Sequence, residues 1–376
     1  MSDSFSNPFF WLFILYTLSV AVQFFYYLRF YLAPALYKHP ATGGELPPVS
    51  VIICARNEAE NLRKYLKTVL EQDYPSYEVI VVNDCSEDDT YRVLGEMAVK
   101  YPILKISNIN RDPRFTHAKK FAQFIGIKAA SNDILVFTDA DCAPVSDKWL
   151  RLIVSRFTPG IDFVLGYGGY FTSRGFLNLY QRCETLFIAM QYIGMSIRGV
   201  PYMGVGRNLA YRKEVFFRNR GFGTHAHIVS GDDDLFVNAN ASASTVSVEF
   251  RHRSHTRSAP AHDLSAWVKQ KLRHLSTARY YKPLHKVMLA AEPLSRMIFY
   301  ISFIILLTRL FLWQYTVAVF GLRLILVLLV YYLNSKKFEE KGLIPFAIIF
   351  DFISPVINII LYSATFRNRR LPATWK

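Results

Sequence analysis

The chain has 376 residues, enough for one medium catalytic domain with additions. At 52% hydrophobic and 15% aromatic residues it is too apolar for an ordinary soluble enzyme. A net charge of +15, with basic residues crowded at the edges of apolar segments, points to an anionic membrane surface or anionic substrates rather than nucleic acid. Cys54, Cys85, Cys142 and Cys183 form no Cys-x-x-Cys pair, so they read as reduced thiols facing a reducing compartment.

Residues 9–28 are apolar and uncharged, long enough to cross a bilayer. The Met-Ser-Asp-Ser front end lacks the basic residue of a cleaved signal peptide. Arg29, Lys38 and His39 follow the segment, so the positive-inside rule puts the amino terminus outside and the next domain in the cytoplasm. The expected division is an N-terminal transmembrane helix and linker (1–46), a catalytic domain (47–285) and a C-terminal transmembrane region (286–376).

Residues 49–54 read as a buried strand, 55–58 as a loop and 59–72 as an amphipathic helix. A second strand, 77–82, ends in Asn83-Asp84-Cys85-Ser86. A helix over 90–100, a short strand over 103–106 and a helix over 116–130 precede the strand 134–138. Such alternation predicts an α/β fold whose parallel sheet is covered on both faces. Ligands of these sheets sit beyond the carboxyl ends of the strands, where Glu58, Asp84, Asp139 and Asp141 all fall. Asp139 and Asp141, one residue apart where an apolar strand stops, suit Mg²⁺ or Mn²⁺ carrying a diphosphate. Taken alone, the pair reads equally well as a turn and a helix N-cap before Trp149.

Further on, 163–170 is a glycine-rich strand, and 176–197 an amphipathic helix that belongs on the membrane surface or in the domain core. A flexible loop, 202–208, leads into 209–212, then Ser230-Gly-Asp-Asp-Asp-Leu235 opens a helix. A strand over 246–250 is followed by a basic, His-rich stretch, whose His252 and His255 read as surface residues because no metal-ligand spacing surrounds them. The helix 264–281 carries Gln270-Lys-Leu-Arg-His274. Three more apolar segments follow, 297–313, 315–333 and 343–362, with a polar stretch at 334–341. Arg309, Arg323 and Asp351 inside them are expected to face protein or a polar cavity, or to snorkel. Three crossings would leave the basic tail Arg367-Asn-Arg-Arg370 outside, so the last segment, with Pro345, Asp351 and Pro355, either crosses or re-enters.

Five strings resemble membrane-embedded family 2 glycosyltransferases with a GT-A fold, the group of cellulose synthase, hyaluronan synthase and ceramide glucosyltransferase. They are Val51-Ile-Ile-Cys-Ala-Arg-Asn-Glu58, Val81-Val-Asn-Asp-Cys-Ser86, Thr138-Asp-Ala-Asp141, Gly231-Asp-Asp-Asp-Leu235 and Gln270-Lys-Leu-Arg-His274. Each is short; five in order carry the resemblance. It implies a Rossmann-like GT-A domain, cytoplasmic, between one N-terminal and about three C-terminal transmembrane helices. It implies nucleotide-sugar contacts from Glu58, Asp84, Lys119, Asp139, Gln270 and Arg273, and a metal on Asp139 and Asp141. The acidic motif would supply the catalytic base: Asp232 first, when anchored on Leu235, with Asp233 second, when counted from Gly231. Arg207, Asn208 and His274 would meet the acceptor. His274 stands where the family has a tryptophan, which weakens the case for holding a sugar chain.

The resulting expectation is an inverting, metal-dependent transfer from a nucleotide sugar, UDP-linked by preference, to a membrane-associated lipid or glycan, in a bacterial inner membrane. The alternatives are a processive polysaccharide synthase that secretes its polymer and, from another class, an inactive scaffold of a polysaccharide assembly. Helix capping by Asp84 and an acidic N-cap cluster at 232–234 are the structural readings of the same residues.

Overall fold

The computed structural model describes residues 7–110, 119–223, 228 and 230–367. The expected start of the 116–130 helix, the Met-Ser-Asp-Ser front end and Asn368–Arg370 of the basic tail lie outside them.

The chain opens with α1 (Pro8–Tyr26), started by Asn7, whose side chain accepts from the Phe9 amide. A π turn (Tyr27–Tyr31) and a short helix (Ala33–Leu36) prolong it. Strands β1 (Val49–Ala55) and β2 (Tyr77–Asp84) follow, then α2 (Thr90–Lys100), β3 (Leu104–Ile109), α3 (Lys119–Ala129) and β4 (Ile134–Phe137). The helix expected at 59–72 is present but broken by a π turn at Leu62–Leu66. Next come β5 (Cys142–Pro144), α4 (Trp149–Val154), β6 (Phe163–Gly166), β7 (Gly168–Tyr170) and α5 (Phe176–Ile197). β8 (Leu209–Arg212), α6 (Lys213–Arg218), α7 (Asp234–Asn240), β9 (Val246–Glu249), β10 (Thr256–Ser258) and α8 (Leu264–Leu275) complete the α/β part. α9 (Pro283–Thr308), α10 (Trp313–Lys337) and α11 (Ile344–Arg367) end the described chain.

Seven strands make the main sheet in the order β3-β2-β1-β4-β8-β6-β9. The first four are parallel, as expected, but β8 runs antiparallel to β4 and to β6, so the sheet is mixed. The single strand expected at 163–170 divides at Tyr167: β6 stays in the main sheet, and β7 joins a three-stranded sheet, β5-β10-β7. Central strands are buried on both faces, which is why they read as continuous apolar runs. Alternation sorts them into two cores. Val49, Val51, Ile53, Val79 and Val81 face the 59–70 helix and α4, while Ile52, Cys54, Ile80 and Val82 face α3 and α5.

That second core does not stop at the α/β part. It runs without a break through Tyr27, Phe30 and Tyr31 after α1, Val327 and Tyr331 of α10, and Phe346 and Phe350 of α11. α5 is therefore core, not a surface helix. Gly194 allows its closest approach: a Cβ there would lie 2.1 Å from the Phe30 carbonyl oxygen.

Among the described residues, four helices are long and apolar enough to cross a membrane: residues 8–36, 283–308, 313–337 and 344–366. α9 begins fourteen residues before the apolar segment read from sequence, at Pro283. α11 is one continuous helix through Pro355. A proline leaves the carbonyl four residues back without its helical donor. Here that carbonyl, of Asp351, takes Arg296 Nη1 at 3.4 Å. Asp351 also accepts from Arg323 Nη2 (2.8 Å), and Arg296 Nε pairs with Glu292 (2.7 Å). Two arginines thus meet two carboxylates, all buried, across three helices, and Gln23 of α1 accepts from Arg323 Nε at 2.8 Å. Arg309, in contrast, is exposed and sits over the Phe9 ring.

Two further expectations change. The helix expected over 264–281 stops at Leu275 and continues as a 3-10 turn, Ala278–Tyr280. His255 is not a surface residue: it is 0% exposed, its Nε2 lies 2.8 Å from the Phe250 carbonyl, and burial pushes its imidazole down to about 3.

Candidate active site

The carboxyl ends of β1, β2 and β4 form one rim. Two non-glycine residues there, Asn57 and Cys85, hold a positive φ (54° and 53°), a costly conformation that the surroundings must enforce. The loops enforce it on each other. The Asn57 amide donates to Ser86 Oγ (2.9 Å), and Asn57 Oδ1 accepts from the Glu87 amide (2.8 Å). Glu58 and Asp84 are buried within this interlock, and Glu58 accepts from Asn61 Nδ2 at 2.5 Å. Just before α2, Asp88 accepts from the Thr90 and Ala59 amides at 3.0 Å each and ties the two loops together. A cavity of about 370 Å³ opens beside Asp84, lined by Asn83, Cys85, Ser86, Tyr91 and Asn108.

At the end of β4, Thr138 Oγ1 donates to the Arg207 carbonyl (3.1 Å), and the chain turns sharply through Asp139. Lys119, at the described start of α3, reaches across the sheet. Its Nζ lies 2.8 Å from Asp139 Oδ1 and 3.2 Å from Asp232 Oδ2. Burial alone would lower this ammonium, but Asp139, Asp232 and Asp233 outweigh it and hold Lys119 well above the ordinary lysine range. A single cation therefore joins two strings that lie 93 residues apart in sequence, Asp139 and Asp232. A small cavity of about 10 Å³ sits between them, lined by Cys54, Gln123, Thr138 and Gly206.

Asp139, Asp141 and Cys142 each offer one ligand atom within 4.8 Å of the others. The donor chemistry decides what fits. Burial, then Asp141 and Asp139, push the Cys142 thiol well up, so it stays protonated and is no ligand for a hard cation. Asp139 is penalised by burial but held below the usual carboxylate range by Lys119, Arg207 and Arg273. Asp141 is raised, first by burial and then by Asp139. Two carboxylates that resist joint ionisation beside each other are a fit for Mg²⁺ or Mn²⁺, which relieves that repulsion.

The acidic motif splits into three roles. Asp232 is buried against Lys119. Asp233 accepts from the Gly206 amide (2.6 Å) and from the Asp234 amide (2.7 Å), so it caps α7 and ties it to the 202–208 loop. Burial, then Asp232 and Asp234, push Asp233 up to about 7. Asp234 turns inward and accepts from Tyr281 OH (2.7 Å) and Thr277 Oγ1. No local pattern in the sequence marks Thr277 and Tyr281 as its partners.

Arg207 lies with its guanidinium 4.5 Å from the Tyr170 ring centroid and donates to Ser258 Oγ at 3.1 Å. On α8, Gln270 Oε1 is 3.5 Å from Tyr170 OH, and Arg273 is close enough to depress Asp139. His274, on the same turn, is pushed well below the ordinary imidazole range by desolvation and then by Arg273, Lys271, Arg207 and Lys119.

Asn208 does not join this group. It is 0% exposed and its amide is fully used: Nδ2 donates to the Tyr167 and Ser254 carbonyls (2.9 and 2.8 Å), and Oδ1 accepts from Trp149 Nε1 (3.0 Å). It shapes the loop that presents Arg207 and has no atom left for an acceptor.

Residues 47–277 match the family model described as Glycosyltransferase like family 2. The chain belongs to this family. Its relatives carry glycosyltransferase names. Over 124 residues it is 40% identical to glycosyltransferase AglE of Haloferax volcanii, covering 32% of this chain and 39% of that protein. Over 112 residues it is 32% identical to a beta-monoglucosyldiacylglycerol synthase of Nostoc sp., covering 29% of this chain and 24% of that protein. The match thus spans well under half of these curated relatives. Among solved structures, mannosyltransferase PcManGT of Pyrobaculum calidifontis, in complex with GDP-Man and Mn²⁺, superposes with a TM-score of 0.57 at 19% identity, over 88% of this chain and 98% of that one. That likeness establishes the GT-A fold.

Proposed function

We propose that this glycosyltransferase inverts a sugar at its anomeric carbon, moving it from a nucleoside diphosphate to a hydroxyl of a membrane-associated lipid. The observation that carries the reading is the Lys119 bridge, one ammonium within 3.2 Å of both the Asp139 and Asp232 carboxylates. It brings a diphosphate site and an acidic base site within one side chain's length. The donor's base and ribose take the cavity lined by Asn83, Cys85, Ser86 and Asn108, with Asp84 and Glu58 in the loops that shape it, and Arg273 meets the phosphate oxygens. Asp139 and Asp141 hold a Mg²⁺ or Mn²⁺ ion, which, when bound, neutralises charge on the diphosphate as it leaves.

Asp233 is the favoured base, in preference to Asp232. A general base works best with a pKa near the working pH, and Asp233 is pushed up to about 7 while Asp232 is engaged by Lys119. Its carboxylate takes the acceptor proton as the acceptor oxygen bonds to the anomeric carbon. The bond from that carbon to the diphosphate oxygen breaks, and the nucleoside diphosphate departs with the electron pair. His274, smaller than the family's tryptophan, favours one transfer to a lipid over holding a growing sugar chain. The shared core with four apolar helices supports a catalytic domain held at a cytoplasmic membrane face, with a bacterial inner membrane as the proposed site. A UDP-linked donor is the first choice, and GDP-mannose is included because a fold relative binds it.

The test is turnover by the full chain in lipid nanodiscs, with Mn²⁺ or Mg²⁺, a panel of UDP- and GDP-sugars, and extracted membrane lipids. Transfer or slow donor hydrolysis with at least one donor, abolished in Asp141→Asn, is the expected result. No consumption of any donor would remove the reading.

A further inference from the structure

Glu340 lies in the polar stretch between α10 and α11, where the sequence shows only a separator between two apolar segments. It is nevertheless 1% exposed and is the meeting point of three catalytic segments. Arg182 of α5 donates from Nε (3.1 Å) and Nη2 (2.9 Å) to its Oε2. Tyr167, between β6 and β7, donates to Oε1 at 2.8 Å, and Arg257 of β10 donates to the same oxygen. The site is built to this shape. Gly169 lies opposite Arg257 in the β7–β10 ladder, and a Cβ there would fall 2.2 Å from Arg257 Nη1 and 3.0 Å from Glu340 Oε1.

The strand that Glu340 grips is the one beside the metal loop. β10 pairs with β5, Ser258 against Cys142 and Arg257 against Ala143, so it borders the residue that follows Asp141. Thr256 Oγ1 donates to the Arg207 carbonyl (2.9 Å), which also accepts from Thr138 Oγ1, the residue before Asp139. Ser258 Oγ takes the Arg207 guanidinium. β10 therefore borders the Asp139–Asp141 turn directly at Cys142, and reaches its other end through the Arg207 carbonyl that Thr256 and Thr138 share.

We infer that Glu340 is a positioning residue: a carboxylate from the membrane hairpin that holds β10, and through it the Asp139–Asp141 turn and Arg207, in the arrangement that receives the metal diphosphate. This rests on the function proposed above. Replacing the carboxylate by an amide leaves two buried guanidinium groups facing a neutral group, and they separate. The small sheet then loses its anchor, although Asp139 and Asp141 are unchanged.

The experiment is a titration of free Mn²⁺ by electron paramagnetic resonance, using the full chain in nanodiscs with UDP or GDP present. Four proteins are compared: the wild type, Glu340→Gln, Tyr167→Phe and Glu292→Gln. The last breaks a buried ion pair within the apolar helices, away from β10, and controls for general loosening. Wild type and Glu292→Gln are expected to bind Mn²⁺ alike. Glu340→Gln should bind at least tenfold more weakly and Tyr167→Phe about threefold more weakly. Tyr167→Phe removes one hydroxyl only and supplies the answer if Glu340→Gln does not fold. Wild-type affinity in both, or equal weakening in Glu292→Gln, overturns the inference and leaves the proposed function standing. If the wild type binds no Mn²⁺ with either nucleotide, the metal diphosphate site itself fails, and the inference with it.

Discussion

At the scale of single residues, the acidic motif divides its labour by geometry. Asp234 is locked inward by Tyr281, Asp232 is bound to Lys119, and Asp233 sits at the loop with a carboxyl pushed up to about 7. Asp233→Asn should lower kcat by about 10²–10⁴-fold, the ordinary worth of a general base, with little change in donor KM. Steady-state kinetics with the donor identified in the panel reads this. The same group makes a prediction about stability. Between its ordinary value of 3.8 and about 7, folded Asp233 holds a proton that the unfolded chain has released. Its contribution to stability therefore falls as pH rises through that window. Asp233→Asn should flatten the slope, seen as a smaller loss in melting temperature between pH 5 and 7.5, on the order of the window stated.

Residue chemistry also explains what the sequence concealed. Asp139 and Asp141 were legible because an apolar strand stops dead at two carboxylates. Asn208 was not, because a polar residue in a glycine loop reads as exposed. Its three partners, Trp149, Tyr167 and Ser254, lie 59, 41 and 46 residues away. Asn208→Ala leaves a buried indole N–H and the Ser254 carbonyl unpaired, while the Tyr167 carbonyl keeps the Thr256 amide at 3.1 Å. It should cost about 1–3 kcal/mol for each group left unsatisfied, measured by thermal unfolding in detergent.

At the scale of elements, the parallel strands β1, β2 and β4 announce themselves by long β-branched runs buried on both faces. β8 is four residues long, and its direction depends on partners before and after it in sequence, so no local pattern reveals that it runs antiparallel. The division of 163–170 at Tyr167 likewise follows from distant partners, β9 for β6 and β10 for β7. Among the apolar helices, Arg323 and Asp351, expected to face protein or a polar cavity or to snorkel, face each other. Asp351→Asn removes the partner of a buried guanidinium and should cost about 3–5 kcal/mol. An isosteric loss of this size appears as a clear drop in melting temperature, while Arg309→Gln, at an exposed position, should melt like the wild type.

At the scale of the whole molecule, the division into membrane part and catalytic part read from composition does not correspond to two cores. Ile52 and Val82 of the main sheet belong to the same apolar cluster as Tyr331 and Phe350 of the flanking helices. A fragment limited to residues 47–277 would expose that cluster. It should express as aggregate or bind a hydrophobic dye strongly, with near-UV circular dichroism lost, whereas the full chain in nanodiscs keeps it.

The linker between the first helix and β1 has a different standing. Residues 41–45 are exposed, but both of its ends are fastened, by Arg156 to the Pro40 carbonyl and by Tyr74 to that of Pro47. A protease that nicks this stretch would sever the covalent tether and nothing else. The first helix would remain seated against α9 and α5, and the two pieces should comigrate through gel filtration as one particle. The anchor of this enzyme is its interior, and the thread that joins helix to enzyme is dispensable once the protein has folded.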